Sequence, residues 1–319
     1  MSTPGKSGQA QLVTPALLRD WPLPGGGSSK DDRGSVLVIG GARRTPGAAL
    51  LAGTASLRAG AGRLTLAVAG STAVAVAVAL PEAGVVGLDE TPEGTVRGVS
   101  VKDLGSELAQ ASAILVGPGL DDMDEARALI RELLRLDSTG SSGAQGGGAA
   151  AGGESKQGRA SLILDAYALG CLPGLEAELG PWAGRLILTP NVTESAVLLG
   201  RDLAGLHRDV PEIAERYQAV VSCQGVIAGP GGGLGNSSGP LWEITTGHGG
   251  LGTSGSGDIL AGAIAGLRAR GTSDAQAACW GTHLHAAAGD RLASRLGGLG
   301  YLARELADEL PPLMMELGT

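Results

Sequence analysis

The sequence predicts an α/β fold in which a mostly parallel central sheet is covered by helices on both faces. Six short runs rich in Val, Ile and Leu are largely apolar instead of alternating with polar residues. Strands of that kind are buried on both faces, and helical patterns such as DEARALIRELLRL (124–136) separate them. Several runs end in Gly, Asp or Asn. In parallel sheets ligands collect at the carboxyl ends of the strands, so these residues are candidates for a site.

The strand runs and two connecting segments account for most of the predicted sheet. The Ala/Val-rich stretch at 64–88 is interrupted at Gly70, Ser71 and Pro81, which divides it into strand, helix and strand. The segment GPGGGLGNSSGP (229–240) is predicted to be a wide hairpin turn between short antiparallel strands. The six runs are SVLVIGG (35–41), RLTLAV (63–68), AILVGPG (113–119), SLILDA (161–166), RLILTPN (185–191) and AVVSCQGVIAG (219–229).

The 319 residues are enough to bury a full core in one α/β domain, which we place at residues 30–319. Residues 1–29 are interpreted as an N-terminal lead-in that is partly flexible. Residues 137–160 are low-complexity Gly, Ser and Ala, which bury too little apolar surface to offset the entropy lost on ordering. We expect a flexible surface insertion there, between a helix and a strand, and not a domain boundary.

Composition excludes several classes of function. The formal net charge is −8, the isoelectric point is near 5.1 and no Lys/Arg cluster exceeds two residues, which argues against a nucleic-acid partner. No uncharged apolar run reaches the ~18 residues that a membrane helix needs, and no signal peptide is recognisable. Cys171, Cys223 and Cys279 are far apart and form no C-x-x-C pair, so neither disulfides nor a zinc site are predicted. These features predict a reduced, cytoplasmic protein.

The run GHGGLGTSGSGDILAGAIAG (247–266) combines an anion-binding pattern with an acid. Backbone amides of a glycine-rich loop that opens a helix attract anions, because the first N–H groups are unpaired and the helix dipole is positive there. Asp258 nevertheless stands at that position. It is either a favourable acidic residue of a first helical turn, or a base toward a hydroxyl that attacks a phosphate held by the loop.

Taken together, the motifs resemble the ribokinase-like superfamily and, within it, the NAD(P)H-hydrate dehydratases. The resemblance covers about residues 30–311, and the order and spacing of its segments are more specific than any one of them. It implies a three-layer α/β/α sandwich. The segments include ALPE (79–82), ILVGPGL (114–120), LILDAYAL (162–169), LTPNVTESAVLLG (188–200) and GLGTSGSGDILAGAIAGLRARG (250–271).

The resemblance implies a repair enzyme. Members of the family dehydrate the S epimer of NADH hydrate or NADPH hydrate to NADH or NADPH, and they use ADP, releasing AMP and phosphate, or ATP. The implied partners are therefore the hydrated dinucleotide and an adenine nucleotide, with Mg²⁺, and a homo-oligomer is expected. Because only some thirty residues precede the match, we expect no epimerase domain ahead of it.

Residue roles follow from matching the family's motifs. Asp258 is implied as the catalytic base that also contacts substrate, and Ala48, Gly119 and Asn191 as further substrate-binding residues. Glu194 is implied as a magnesium residue acting through water, because oxygen ligands suit a hard cation. The implied nucleotide-binding residues are Gln224, Gly225, Thr253, Gly255, Ser256 and Gly257.

Each of these positions also has a purely structural interpretation. Ala48 and Gly119 are compatible with packing and turn roles, and Asn191 and Glu194 with a helix N-cap and its capping-box partner. His283 and His285 lie on an apolar helix, which favours core or hydrogen-bonded histidines over metal ligands.

The chain departs from the family pattern next to the nucleotide. Ser222, Cys223 and Gln224 precede Gly225 where a Lys-Gly pair is usual, so a cation near the phosphates is missing, and Asn191 replaces the usual His. Two alternatives therefore stay open. One is a kinase of the same superfamily that phosphorylates a vitamin-precursor alcohol, and the other is a non-catalytic nucleotide-binding module.

Overall fold

A ten-stranded sheet runs through the described part of the chain, which comprises residues 10–140, 159–231, 239–247 and 249–318 of a computed structural model. Its strand order is β1-β10-β9-β8-β7-β6-β5-β2-β3-β4, and all pairs are parallel except those that β9 makes with β8 and β10. The mostly parallel sheet is therefore confirmed. The strands are β1 (Gln11–Leu12), β2 (Ser35–Ile39), β3 (Arg63–Ala69), β4 (Gly84–Leu88), β5 (Ala113–Val116), β6 (Ser161–Leu164), β7 (Leu186–Leu188), β8 (Val220–Cys223), β9 (Val226–Ala228) and β10 (Leu241–Glu243).

The run at 219–229, predicted as one strand, is a hairpin, so that prediction is wrong. Gln224 and Gly225 both have positive φ, 46° and 84°, and they reverse the chain between β8 and β9. Two successive residues with positive φ form the turn that matches the twist of a two-residue hairpin. The strands flanking 229–240, β9 and β10, are antiparallel as predicted, while residues 232–238 lie outside the described part.

Helices cover both faces of the sheet. Successive residues of a strand point to opposite faces, so Val36 and Val38 lie in one apolar cluster and Leu37 and Ile39 in the other. This alternation explains why the strands are apolar throughout. The helices are α1 (Pro15–Asp20), α2 (Pro46–Arg58), α3 (Ala73–Ala79), α4 (Gly105–Gln110), α5 (Met123–Gly140), α6 (Tyr167–Gly170), α7 (Val192–Leu199), α8 (Leu206–Tyr217), α9 (Ser256–Ala269), α10 (Asp274–Leu296) and α11 (Ala303–Glu316).

Two helical layers enclose separate cores. Helices α2, α9, α10 and α11 pack with one face of the sheet, and α5, α7 and α8 with the other. The three-layer arrangement follows. Of the predicted insertion at 137–160, the first residues belong to α5 and residues 141–158 lie outside the described part.

The described part of the lead-in packs on the domain. Strand β1 pairs with β10, and Leu18 of α1 is fully buried. The carbonyl of Trp21 accepts hydrogen bonds from Gln276 Nε2 (3.0 Å) and Trp280 Nε1 (2.9 Å), both on α10. Residues 10–23 therefore extend the sheet and close one apolar core.

Helices α2 and α9 approach each other more closely than side chains normally allow. A Cβ at Gly262 would lie 2.1 Å from the carbonyl oxygen of Ala52, and one at Gly266 would lie 2.3 Å from that of Ser56. The Ser56 hydroxyl donates to the Gly262 carbonyl (2.9 Å) across this contact. Since Gly262 meets Ala52 and Gly266 meets Ser56, the two helices run in the same direction.

This packing gives a prediction for stability. Gly262→Ala should lower the free energy of unfolding by about 1–3 kcal/mol, because the new methyl group meets backbone that cannot move aside. Urea unfolding followed by circular dichroism measures it. Gly105→Ala is the matched control, since Gly105 is helical and no atom lies within 4 Å of an added Cβ, and it should be neutral or stabilising. Equal losses in both variants would contradict the backbone contact.

Candidate active site

The carboxyl ends of the parallel strands and the first turn of α9 lie at the same edge of the sheet. Strands β2, β5, β6 and β7 are parallel neighbours and therefore end on one side. Helix α2 begins on that side after β2, and α9 runs parallel to it. A Cβ at Gly255, just before α9, would meet Leu51 of α2 at 2.6 Å. Asp258 is thus brought to the edge where β6 and β7 end.

The first turn of α9 has unpaired backbone donors. Gly255 adopts the left-handed conformation (φ 88°), and its carbonyl accepts from Ile259 N–H at 3.2 Å. Ser256 N–H already donates to the Thr253 carbonyl (3.2 Å). Among the described residues, the N–H groups of Gly257 and Asp258 have no partner. Two amides at a positive helix end are therefore available to an anion.

Asp258 does not cap its own helix. Its carboxylate is half-buried and accepts no hydrogen bond from the described residues, although acids in a first turn commonly bind the free amides there. Burial raises the pKa of Asp258 to about 6. Asp258 does lie in the first turn of α9, as the structural interpretation requires, but no amide of the described residues donates to its carboxylate.

A second buried acid, Asp165, lies beside Asp258. It follows β6, is 6% exposed, and its Oδ1 accepts from the Thr189 hydroxyl at 2.8 Å. The pKa of Asp165 is raised to about 7, chiefly by burial and also by the negative charges of Asp258 and Glu194, against the opposing hydrogen bonds from Thr189 and the Ala166 backbone. Burial also raises the pKa of Glu194. Three carboxylates therefore share one region.

The carboxylate cluster lacks a protein cation. Within the described ranges, none of Asp165, Glu194 and Asp258 forms an ion pair with Lys or Arg. No three His, Cys, Asp or Glu side chains of the described part come close enough together to hold a metal ion by themselves. No Lys or Arg of the described part therefore balances the charge of this cluster.

Sequence reasoning missed Asp165 as a site residue. The available signal was its position, since it ends a strand at the edge where ligands collect. The structure adds that Ala166 has φ 50° and ψ −125°, a conformation that costs a non-glycine residue of order 1–3 kcal/mol and is concentrated at functional sites. Gly117 permits this arrangement, because a Cβ there would lie 1.8 Å from the Asp165 carbonyl oxygen.

Asn191 and Glu194 form the capping box of α7. The Asn191 side chain accepts from Glu194 N–H (2.9 Å), and Glu194 Oε2 accepts from Asn191 N–H (2.8 Å). The structural interpretation of this pair is therefore present. Glu194 Oε1 takes no part in the cap, and the charge of Glu194 raises the pKa of Asp165.

Ala48 and Gly119 lie together, at the start of α2 and after β5. Gly119 has φ 74°, and a Cβ there would meet the Thr45 carbonyl at 2.3 Å and the Ala48 Cβ at 3.1 Å. The Thr45 hydroxyl donates to the Gly119 carbonyl at 2.7 Å. Close packing alone explains why residue 119 is a glycine. Ala48 and Gly119 also lie at the carboxyl edge of the sheet, where the candidate site is.

Of Ser222, Cys223 and Gln224, the three residues that precede Gly225, only Gln224 faces outward. The Ser222 hydroxyl is 2.8 Å from that of Thr282, and the Cys223 thiol is 3.4 Å from Ser195 Oγ, both in the interior. Gln224 is exposed, whereas Gly225 packs against Ile244, whose carbonyl would be 2.6 Å from an added Cβ. Thr253 is half-buried in the loop before α9.

The α10 histidines are buried residues. His285 Nε2 is 2.8 Å from the Ser256 hydroxyl, and burial lowers the pKa of His285 to about 4, so the ring is neutral near pH 7. Burial also lowers the pKa of His283. Their interpretation as core or hydrogen-bonded histidines agrees with these contacts. No helix in the described ranges is both long and apolar enough to cross a bilayer.

Comparison with known proteins identifies the family. Residues 36–312 match the family model described as NAD(P)H-hydrate dehydratase. The chain is 39% identical to the ADP-dependent (S)-NAD(P)H-hydrate dehydratase of Xanthomonas campestris pv. campestris, over 97% of this chain and 98% of that protein. It spans about half the length of the bifunctional NAD(P)H-hydrate repair enzymes that it also matches.

Solved structures agree in fold. A ribokinase-like superfamily protein from Enterococcus faecalis superposes with a TM-score of 0.74 at 20% identity, covering 99% of both chains. The ADP/ATP-dependent NAD(P)H-hydrate dehydratase of Bacillus subtilis, co-crystallised with ATP/Mg²⁺, superposes with a TM-score of 0.69 at 26% identity, covering 97% of this chain and 99% of that chain. The chain therefore has the ribokinase-like fold that its sequence predicted and belongs to the NAD(P)H-hydrate dehydratase family.

Proposed function

We propose that this protein dehydrates the S epimer of NADH hydrate or NADPH hydrate to NADH or NADPH, using ADP and releasing AMP and phosphate. Support comes from the family and from the Xanthomonas relative, which is named as ADP-dependent and matches nearly the whole chain. The observation that carries the chemistry is Asp258. It is a half-buried carboxylate that accepts no hydrogen bond from the described residues and stands beside two free amides.

Asp258 is the general base in this proposal. It removes the proton from the hydroxyl of the hydrated ring as that oxygen attacks the terminal phosphorus of ADP, and AMP leaves. The ring nitrogen's lone pair then expels phosphate to give an iminium ion, and loss of a proton from the adjacent ring carbon to the departing phosphate or to water restores the carbon–carbon double bond. A pKa of about 6 keeps Asp258 ionised near pH 7 while leaving it basic enough to accept a proton.

The amides of Gly257 and Asp258 stabilise charge on the transferred group. They point from the positive end of α9 and need no rearrangement when charge develops on the phosphoryl oxygens. Ser256 was expected to bind the nucleotide through its backbone N–H. That N–H instead donates within the loop, and the Ser256 hydroxyl is within hydrogen-bond distance of His285. We assign Ser256 to shaping the loop, and Gly255 to the reversal that exposes the next two amides.

A magnesium ion fits the carboxylate cluster. Asp165 is buried, Glu194 is half-buried, and the two are close enough to interact. Neither pairs with a Lys or Arg of the described part, and Mg²⁺ typically takes one or two carboxylates together with phosphates and waters. Those two side chains would hold it, Glu194 through water. When bound, it would neutralise charge on the nucleotide phosphates.

The remaining contacts of the proposal are those with the nucleotide and those with the hydrated dinucleotide. We place the nucleotide near the Gln224–Gly225 turn and Thr253, and the hydrated dinucleotide near Ala48, Gly119 and Asn191. Cytoplasmic location and a homo-oligomeric assembly complete the proposal. Recovery of reduced-nicotinamide absorbance from NADH hydrate, with Mg²⁺ and either ADP or ATP, tests the activity and the nucleotide preference together.

Asp258→Asn should fold normally and bind ADP at least as tightly, because a negative charge leaves the anion-binding turn. Its kcat should fall by roughly 10² to 10⁴, the usual contribution of a positioned general base. The matched control is Asp103→Asn, which changes an exposed aspartate and should retain full turnover. Turnover of Asp258→Asn within a few-fold of wild type would rule out the catalytic role.

The pH profile provides a separate check on Asp258. A base acts only when deprotonated, so kcat/KM should fall as the pH drops through about 6, by about tenfold between pH 7 and pH 5. Stopped assays across this range give the profile. The acidic limb should be absent from the residual activity of Asp258→Asn, and its persistence there would assign the titration to another group.

Asp165→Asn should stabilise the folded protein at alkaline pH. Folding raises the pKa of Asp165 from 3.8 to about 7, so its ionisation costs stability increasingly as the pH rises through that interval. We expect Tm to rise by about 2 °C or more at pH 8, with a smaller gain at pH 5. Scanning calorimetry measures both, and Glu82→Gln, at an exposed carboxylate, is the control. A gain independent of pH would contradict this explanation.

A further inference from the structure

The protein exposes one aromatic ring. It contains four Trp, three Tyr and no Phe, and all seven aromatic residues lie in the described part. Tyr167 is 41% exposed, whereas the other six are buried or half-buried, two of them stacked on each other with ring centroids 6.2 Å apart. A chain that buries or pairs its other aromatic residues keeps this one at the surface.

Tyr167 stands at the edge of the site. It is the first residue of α6 and follows Asp165 by two positions, across the strained Ala166. The positive φ of Ala166 redirects the chain immediately before the ring. The Tyr167 carbonyl accepts a hydrogen bond from the Cys171 thiol (3.2 Å), which connects the two ends of the short helix α6. The ring is therefore held by a defined backbone and does not belong to a loose loop.

Two neighbouring helices begin in the same way. Met123 is the first residue of α5 and Val192 the first residue of α7, and each is 41% exposed. These helices follow β5 and β7, the strands on either side of β6. Met123, Tyr167 and Val192, which we call the apolar rim, are thus the first residues of the helices that follow three adjacent parallel strands. Single exposed apolar residues are common, but three that begin neighbouring helices beside a polar site indicate a binding surface.

We propose that the apolar rim binds an adenine ring, with Tyr167 as the stacking surface. This inference rests on the proposed function, since both the hydrated dinucleotide and ADP carry adenine. The carboxylate cluster next to the rim suits a phosphate-bound cation, and a neutral flat ring suits the rim. Stacking on an aromatic face is tolerant of ring substituents, and the methionine sulfur and valine methyl groups supply dispersion contacts at the ring's edge.

The test compares Tyr167→Ala with Tyr167→Phe. Stacking needs the ring and not the hydroxyl, so Tyr167→Ala should raise KM for one co-substrate by at least about fivefold with kcat within twofold, and Tyr167→Phe should match wild type. Whether KM rises for NADH hydrate or for ADP identifies which adenine is bound. Val78→Ala is the control, because Val78 is a 77% exposed apolar residue on the outer helix α3.

Unchanged KM values for both co-substrates in Tyr167→Ala would overturn the proposal, as would a fall in kcat alone, which indicates a structural role. Equilibrium binding of ADP and of NADPH separates this inference from the proposed activity. Affinity for one of them that weakens in Tyr167→Ala but not in Tyr167→Phe supports the rim even if NADH hydrate is not turned over. Equal affinities of all three proteins overturn it.

Discussion

The contact of backbone against backbone between α2 and α9 determines where the rest of the site lies. Gly262 and Gly266 let α9 lie directly on the carbonyls of Ala52 and Ser56. Any side chain at these glycines would separate the helices and move the first turn of α9 away from the start of α2. Because both helices run from the carboxyl edge of the sheet, this contact fixes the free amides and Asp258 over the ends of β6 and β7.

The candidate site has unfavourable electrostatics. Burial disfavours the ionisation of Asp165, Glu194 and Asp258, the charges of the latter two disfavour that of Asp165 further, and Ala166 adds backbone strain beside them. Two apolar layers on a ten-stranded sheet supply the stability that permits this arrangement. Buried acids without a protein cation are typical of sites that receive charge from a ligand, and such sites commonly trade stability for function.

The fold could be predicted because its signals are local. Apolar strands and amphipathic helices specify a covered parallel sheet, and Asn191 with Glu194 specifies a capping box, without knowledge of distant residues. The hairpin at Gln224 could not be read from an apolar run of eleven residues, since its turn depends on a non-glycine residue with positive φ. Asp165 and Tyr167 were missed because burial and exposure arise from the packing of β6 and α6 against elements far away in the sequence.

An acid in an anion-binding turn is compatible with anion binding when it leaves the backbone amides of that turn free. An ordinary helix-start acid would occupy the free amides itself and lower its own pKa, whereas Asp258 accepts no such bond from the described residues and burial raises its pKa to about 6. The amides of Gly257 and Asp258 therefore stay available to a phosphate, and the carboxylate stays available to a proton. In the proposed reaction both groups are needed, since the proton leaves the attacking oxygen as negative charge develops on the phosphoryl group. With the donors on the backbone of Gly257 and Asp258 and the base on the Asp258 side chain, the proposed reaction uses no cationic side chain for either step.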